Sequence, residues 1–276
     1  EYSIVSIVVL KQDKHENENY TDNIVKLCKQ SKINYVTSSQ LKPKQYEEYL
    51  KKIRPDLVLL ISWRYLVPSV CFTIPTFGMF VIHDSLLPKY RGYSPTNWVI
   101  INGEKTTGLT LQRITEKTDA GDIVLQYKVP IKGGWTAADL NNIFVKLYPK
   151  IAQEGIEKIL NGKAKYTKQN HRLATHACKR IPEDGKINFA NMKTEQIIRL
   201  IKGLTYPYPG AFAYYGKQRI IIWEAEKSKN KDKYVGRIPG TIININNSYV
   251  DVLTIDGIIS LIKTSIPIKR YSIKLQ

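Results

Sequence analysis

GMFVIHDSLLPKYRG, residues 78–92, decides how the rest of the chain is read. A short apolar run, Met79 to Ile82, ends on a histidine and passes straight into a Ser-Leu-Leu-Pro turn. A run of this length, bounded by Gly and Pro, predicts a strand over 78–82. His83 then stands at the carboxyl end of that strand, which is where ligands of open α/β sheets bind. A lone histidine is more often packed or solvated than catalytic, so its neighbours must decide its role.

Working outward, SIVSIVVL (3–10) is a continuous β-branched run, the mark of a strand buried on both faces in a parallel sheet. After the polar loop KQDKHENENYTD, a helix fits 21–30, with Ile24, Leu27 and Cys28 on one face, and a short strand fits 33–36. Pro43 opens a second helix with the stripe Tyr46, Tyr49, Leu50 and Ile53, and PDLVLLIS (55–62) predicts another buried strand. Strands alternating with helices predict an open, doubly wound α/β sheet. Downstream, a short helix follows Pro95, and 107–114 and 122–129 alternate like half-exposed strands. Thr136 caps a long helix that ends near Asn161-Gly162.

Residues 163–182 show no period, as in an interdomain linker. Beyond them a helix at 193–202 precedes AFAYY, RIIIWEAE, GTIININ, YVDVLT and IISLIKT, closely spaced strands that predict a small β-barrel. The expected division is a catalytic domain over 1–165, a linker over 166–182 and a C-terminal OB-like domain over 183–276.

With 276 residues, 43% of them hydrophobic, the chain can bury a large core or two smaller ones. No apolar run is long enough to span a bilayer and no signal pattern opens the sequence, so a cytoplasmic protein is expected. Cys28, Cys71 and Cys178 are scattered, without metal-ligand spacing, so neither a disulfide framework nor a metal site is expected. Lys and Arg outnumber Asp and Glu by 42 to 24, a formal charge of +18 that favours anionic partners such as nucleotides, folates or RNA. An evenly lysine-rich surface explains the same number.

HDSLLPKYRG, together with TDAGDIV at 118–124, resembles the signature of the formyltetrahydrofolate-dependent formyltransferases. In that signature a histidine before a Ser-Leu-Leu-Pro turn works with the aspartate of a downstream Asp-x-Gly-Asp loop. KYRGYSPTNWVIINGEKTTGLTL is similar to the branch acting on sugar nucleotides, notably the formyltransferase domain that modifies a UDP-linked aminoarabinose in lipopolysaccharide biosynthesis. KRIPEDGKINF (179–189) and YPYPGAF (206–212) are similar to that family's second domain. The resemblance implies a Rossmann-like formyltransferase domain followed by an OB-like barrel. It implies N10-formyltetrahydrofolate as co-substrate, no metal, the amine of a nucleotide-linked aminosugar as acceptor, and a homodimer.

Moving a formyl group to an amine needs a neutral amine, stabilisation of an oxyanion and proton movement between two nitrogens. His83 suits the proton shuttle and Asp119 its orientation, so these are the expected catalytic pair. The resemblance places the folate against Trp63, Arg64, Tyr65, Leu66 and Val67 and beside Asp119. It places the acceptor near Ser85, Lys89, Arg91, Gly92 and Asn97. Without the motif, Asp119, Asp122 and Ser85 read equally as turn and cap residues.

The sequence departs from the pattern twice. Family members carry an asparagine two residues before the histidine, an oxyanion donor, where this chain has Val81. Loss of such a donor costs about 3–4 kcal/mol unless another group replaces it. The first β-α unit of the family is also expected to be missing from this sequence, with Glu1 aligning with the second strand. Methionyl-tRNA formylation is the alternative favoured by the charge, although the loop after the first strand is acidic and amide-rich rather than basic. A second alternative is a formyltransferase-like binding module without catalysis.

Overall fold

The structure, a computed structural model, describes residues 2–11, 19–38, 43–271 and 273–276. In chain order its first elements are β1 (Ile7–Leu10), α1 (Tyr20–Gln30), β2 (Tyr35–Ser38), α2 (Pro43–Ile53), β3 (Leu57–Ile61) and β4 (Gly78–His83). There follow β5 (Arg91–Gly92), α3 (Pro95–Ile101), β6 (Thr106–Arg113), β7 (Ile123–Pro130), α4 (Ala137–Leu160) and β8 (His176–Ala177). The last are α5 (Thr194–Leu204), β9 (Ala211–Tyr215), β10 (Gln218–Lys227), β11 (Ile242–Ile245), β12 (Val250–Leu253) and β13 (Ile258–Thr264). Most of the polar loop expected after β1 lies outside the described residues.

Two compact units emerge: residues 1–92, 106–130 and 144–177 form the first, and 93–105, 131–143 and 178–276 the second. In the first unit β1 pairs with β2 in parallel, and a separate sheet runs β3-β4-β6-β7. β3 and β4 are parallel, β4, β6 and β7 antiparallel. A small parallel pair, β5 with β8, brings the 166–177 stretch back onto the turn after β4.

Local chemistry accounts for where the expected elements shift. The strand expected at 33–36 starts at Tyr35, because α1 ends in a Schellman-like turn with Lys32 left-handed and Ile33 N–H donating to Cys28 O. β1 and β3 are only half buried, with Val9 and Leu60 their enclosed residues and Ile61 exposed. Each is the last strand on one side of its sheet among the described residues, so the two-faced burial expected of both is not reached.

β6, expected half-exposed, is buried from Thr107 to Gln112. It sits between β4 and β7, and Gly155 of α4 lies so close to Leu111 that a Cβ there would meet its Cδ2 at 2.0 Å. The opposite face carries Thr110 and Gln112, polar but hydrogen-bonded. Thr136 caps α4 as expected, its hydroxyl accepting from Asp139 N–H while Asp139 accepts from Thr136 N–H.

In the second unit the antiparallel sheet runs β11-β12-β13-β10-β9. α5 places Ile197, Ile201 and Leu204 at i, i+4, i+7 against Ile220, Ile222, Val252 and Ile259. Burying each such side chain contributes about 1.5–3 kcal/mol. α3 packs on α5 where Gly203 permits it, since a Cβ would lie 2.5 Å from an Ile101 methylene. The chain's last residues close the sheet. Tyr214 and Gln276 exchange backbone hydrogen bonds, and Leu275 N–H donates to Gly240 O, so one short segment joins edge strand β9 to the turn entering edge strand β11.

No helix among the described residues is long and apolar enough to cross a membrane. No group of His, Cys, Asp or Glu among them is placed to hold a metal ion.

Candidate active site

His83 ends β4, and the turn that follows is tied down from several sides. Thr110 of β6 donates its hydroxyl to Ser85 O at 2.6 Å and accepts from Leu87 N–H; Gln126 of β7 donates to both Thr110 Oγ1 and Leu87 O. Ser85 Oγ–H closes the turn on Lys89 O, and Tyr148 of α4 donates to Asp84 at 2.7 Å. Tyr90, left-handed, is fixed by its N–H on Thr175 Oγ1.

That restraint aims the Tyr90 carbonyl at His83 Nε2, 2.7 Å away. A carbonyl only accepts, so Nε2 carries the hydrogen and donates it. The second ring nitrogen, Nδ1, faces Asp119 Oδ2 at 3.6 Å. His83 is 8% exposed and Asp119 13%, so the two groups meet at the rim of a largely enclosed site. A proton reaching Nδ1 arrives beside a carboxylate, whereas Nε2 is already occupied.

Asp119 is itself left-handed, at φ +50°. Its Oδ2 accepts from Gly92 N–H at 2.8 Å and its Oδ1 from Gln112 Nε2 at 2.9 Å. Gly92 has φ +99°, and a Cβ there would stand 2.7 Å from Ala177 O, so this donor requires glycine. An open depression lined by Thr115, Glu116, Lys117, Ala120 and His171 flanks the Asp119 loop.

The residues expected at the folate divide by exposure. Trp63 packs beside Tyr46 and Tyr65, and its indole N–H is enclosed with no acceptor among the described residues. Arg64 donates to Lys11 O, Val67 packs on the core under α2, and Tyr65 and Leu66 are open, Leu66 at 79% exposure. The loop they form leaves the carboxyl end of β3, as His83 leaves that of β4.

Most residues expected at the acceptor turn inward. Ser85 is buried on Lys89 O; Arg91 is 5% exposed and binds Gln169 and His171. Gly92 presents its N–H to Asp119, and Asn97 is buried in the second unit with its amide on Gly203 O. Lys89 remains exposed. Burial draws the Arg91 guanidinium below its usual value, and the Asp119 charge pulls it partly back.

Gln112, Gln169 and Tyr148 were not foreseen. Gln112 sits between Leu111 and Arg113 in an alternating strand, and Gln169 in a stretch without period that folds back into the first unit. The one available signal for Gln112 is register: it lies directly across from Val81, two residues from His83.

Residues 2–155 match the formyl transferase family and residues 179–272 the formyl transferase C-terminal domain. Over 245 residues the chain is 34% identical to the bifunctional polymyxin resistance protein ArnA of Wigglesworthia glossinidia brevipalpis, covering 89% of this chain and 37% of that protein. An N-formyltransferase from Helicobacter canadensis, solved with folinic acid and dTDP-3-aminofucose, superposes with a TM-score of 0.65 at 20% identity over 93% of this chain and 88% of its own. Methionyl-tRNA formyltransferase from Clostridium thermocellum gives 0.58 at 25% identity over 92% and 100%. With both of its domains matched, in the order expected, this chain belongs to the formyl transferase family.

Proposed function

We propose that the chain transfers a formyl group from N10-formyltetrahydrofolate to the amine of a nucleotide-linked aminosugar. The observation that carries this reading is the His83–Asp119 pair, in which Nε2 is committed to Tyr90 O and Nδ1 faces a fixed carboxylate. The folate, when bound, supplies the formyl group. His83 Nδ1 removes the proton that the acceptor amine must lose, Asp119 holds the resulting imidazolium, and that proton passes to folate N10 as its bond to the formyl carbon breaks. Loop 63–67 holds the folate, with the exposed Tyr65 and Leu66 as apolar cover. Similarity to a protein solved with a dTDP-aminosugar favours a nucleotide-linked acceptor.

Incubation with N10-formyltetrahydrofolate and a panel of UDP- and dTDP-aminosugars tests the reading by mass spectrometry. One acceptor is expected to gain a formyl group; no product across the panel counts against it. Methionyl-tRNA is the second acceptor, favoured by the +18 charge and by the likeness to methionyl-tRNA formyltransferase. Tight tRNA binding that weakens steeply with salt, with formylation of the aminoacyl group, would replace the sugar reading.

A further inference from the structure

Four side chains of the first unit form a hydrogen-bonded chain with only one possible direction. Arg91 Nε and Nη2 donate to Gln169 Oε1 at 3.2 and 2.6 Å. Gln169 Nε2 has two hydrogens for three acceptors, Gln112 Oε1 at 3.2 Å and the carbonyls of Asp119 and Gly121 at 3.0 and 2.7 Å, so one hydrogen is shared between two of them. Gln112 Nε2 donates to Asp119 Oδ1 at 2.9 Å. A guanidinium can only donate and a carboxylate can only accept, so neither glutamine amide can turn over without breaking the bonds on both of its ends. Arg91 at 5%, Gln169 at 6% and Gln112 at 1% exposure are shielded from competing water. In such surroundings aligned hydrogen bonds strengthen one another.

We propose that Arg91, Gln169 and Gln112 are positioning residues that carry the guanidinium's polarity through two amides to Asp119 Oδ1 and thereby keep Oδ2 turned to His83. The proposal rests on the reading of His83 and Asp119 as the proton-handling pair. It also gives the 166–177 stretch a task, since Gln169 is held at the site between the Thr167–Ile123 backbone bridge and the pairing of β8 with β5. Gln112 bonds Asp119 directly, with His83 at the far carboxylate oxygen, and reaches Arg91 through Gln169, with His171 bonded to Arg91; Arg113 follows it in the chain, its N–H donating to Asp122 O.

Gln112→Glu separates positioning from packing. When protonated, the introduced carboxyl donates one bond to Asp119 Oδ1 and accepts from Gln169, as glutamine does; when ionised, it sets two carboxylates against each other. It should therefore titrate at least about 2 units above the ordinary value of about 4.3. Formyl transfer by Gln112→Glu should stay within about threefold of wild type while that proton is held and fall as it is lost, with KM little changed. Gln112→Leu and Gln169→Leu should lose roughly tenfold or more in kcat at every pH, the scale of one hydrogen bond to a charged group.

Carbon-13 NMR of glutamate-labelled Gln112→Glu, differenced against wild type, reads the titration without any activity. If wild type formylates nothing, the formyl-transfer reading fails while the NMR titration still decides the chain of hydrogen bonds. An introduced carboxyl titrating at its ordinary value, or a Gln112→Leu variant turning over like wild type, overturns the proposal. Should Gln112→Leu fail to fold, Gln112→Glu, which keeps size and bonding at acid pH, supplies the decision.

Discussion

Replacing Asp119 by asparagine removes one charge and almost no volume. In the wild type, a proton on His83 Nδ1 lies 3.6 Å from Asp119 Oδ2. At an effective dielectric of about 20, opposite unit charges at that distance attract by about 4–5 kcal/mol. Access of solvent at the rim and the neighbouring Arg91 cation reduce this, leaving about 3 kcal/mol for the imidazolium that forms as the amine loses its proton. At about 1.4 kcal/mol per decade, kcat of Asp119→Asn should fall roughly a hundredfold, with KM for the acceptor nearly unchanged.

A second effect adds to the first. Asp119 accepts from two donors, Gly92 N–H and Gln112 Nε2, whereas asparagine offers one oxygen, so one donor loses its partner. An orphaned donor costs about 1–3 kcal/mol of stability. Steady-state kinetics with the acceptor identified from the panel, together with a melting curve, separates the two effects. A variant with wild-type kcat and only a lowered Tm would refute the reasoning, for Asp119 would then be a structural acceptor and not the partner of His83.

Gly92→Ala should lose about 2–4 kcal/mol, because its φ of +99° and the 2.7 Å approach of Ala177 O both oppose a Cβ, and kcat should fall with the displaced donor to Asp119; an unaltered Tm would contradict this. Val81 shares the His83 face of β4, so Val81→Asn should raise kcat by up to about a hundredfold, and an unchanged kcat would show that another group already donates to the oxyanion. Leu275→Ala should destabilise the second unit by about 2–5 kcal/mol, since Leu275 is buried in its core and closes the sheet through Gly240; calorimetry showing less than about 1 kcal/mol would remove that role. Burial pushes the Asp256 carboxyl up, but bonds from Thr194 N–H, Thr194 Oγ1 and Thr254 Oγ1 outweigh it and hold it below its usual value. Its stabilisation is therefore present above about pH 4 and lost as pH falls through the lowered value, so the stability gap to Asp256→Asn should shrink on acidification; a constant gap from neutral to acid pH would refute it.

The meeting of His83 with Asp119 was legible because a short motif fixes both residue type and chain position, and the strand ending on His83 was legible from its apolar run. The apolar stripes showed where α2 and α4 lie, α4 also through the Thr136 cap, whereas in α1 Ile24 and Leu27 of the expected stripe are exposed and Cys28 alone of the three is buried. The burial of β6 was not legible, because alternation describes one strand while the cover comes from α4 and two neighbouring strands. Gln169 was hidden for a related reason: the return of residues 166–177 to β5 is a tertiary pairing that leaves no period in the sequence. Arg91 and Asn97 look like surface binding residues by type, yet burial with a matched acceptor makes each of them part of the framework.

The most direct test compares wild type with His83→Ala in single-turnover formyl transfer, at saturating N10-formyltetrahydrofolate and acceptor. The wild type should formylate the acceptor amine, and His83→Ala should bind both compounds while losing at least about a hundredfold in rate, as expected when a general base is removed. Equal rates for the two proteins would contradict the assignment of proton transfer to His83.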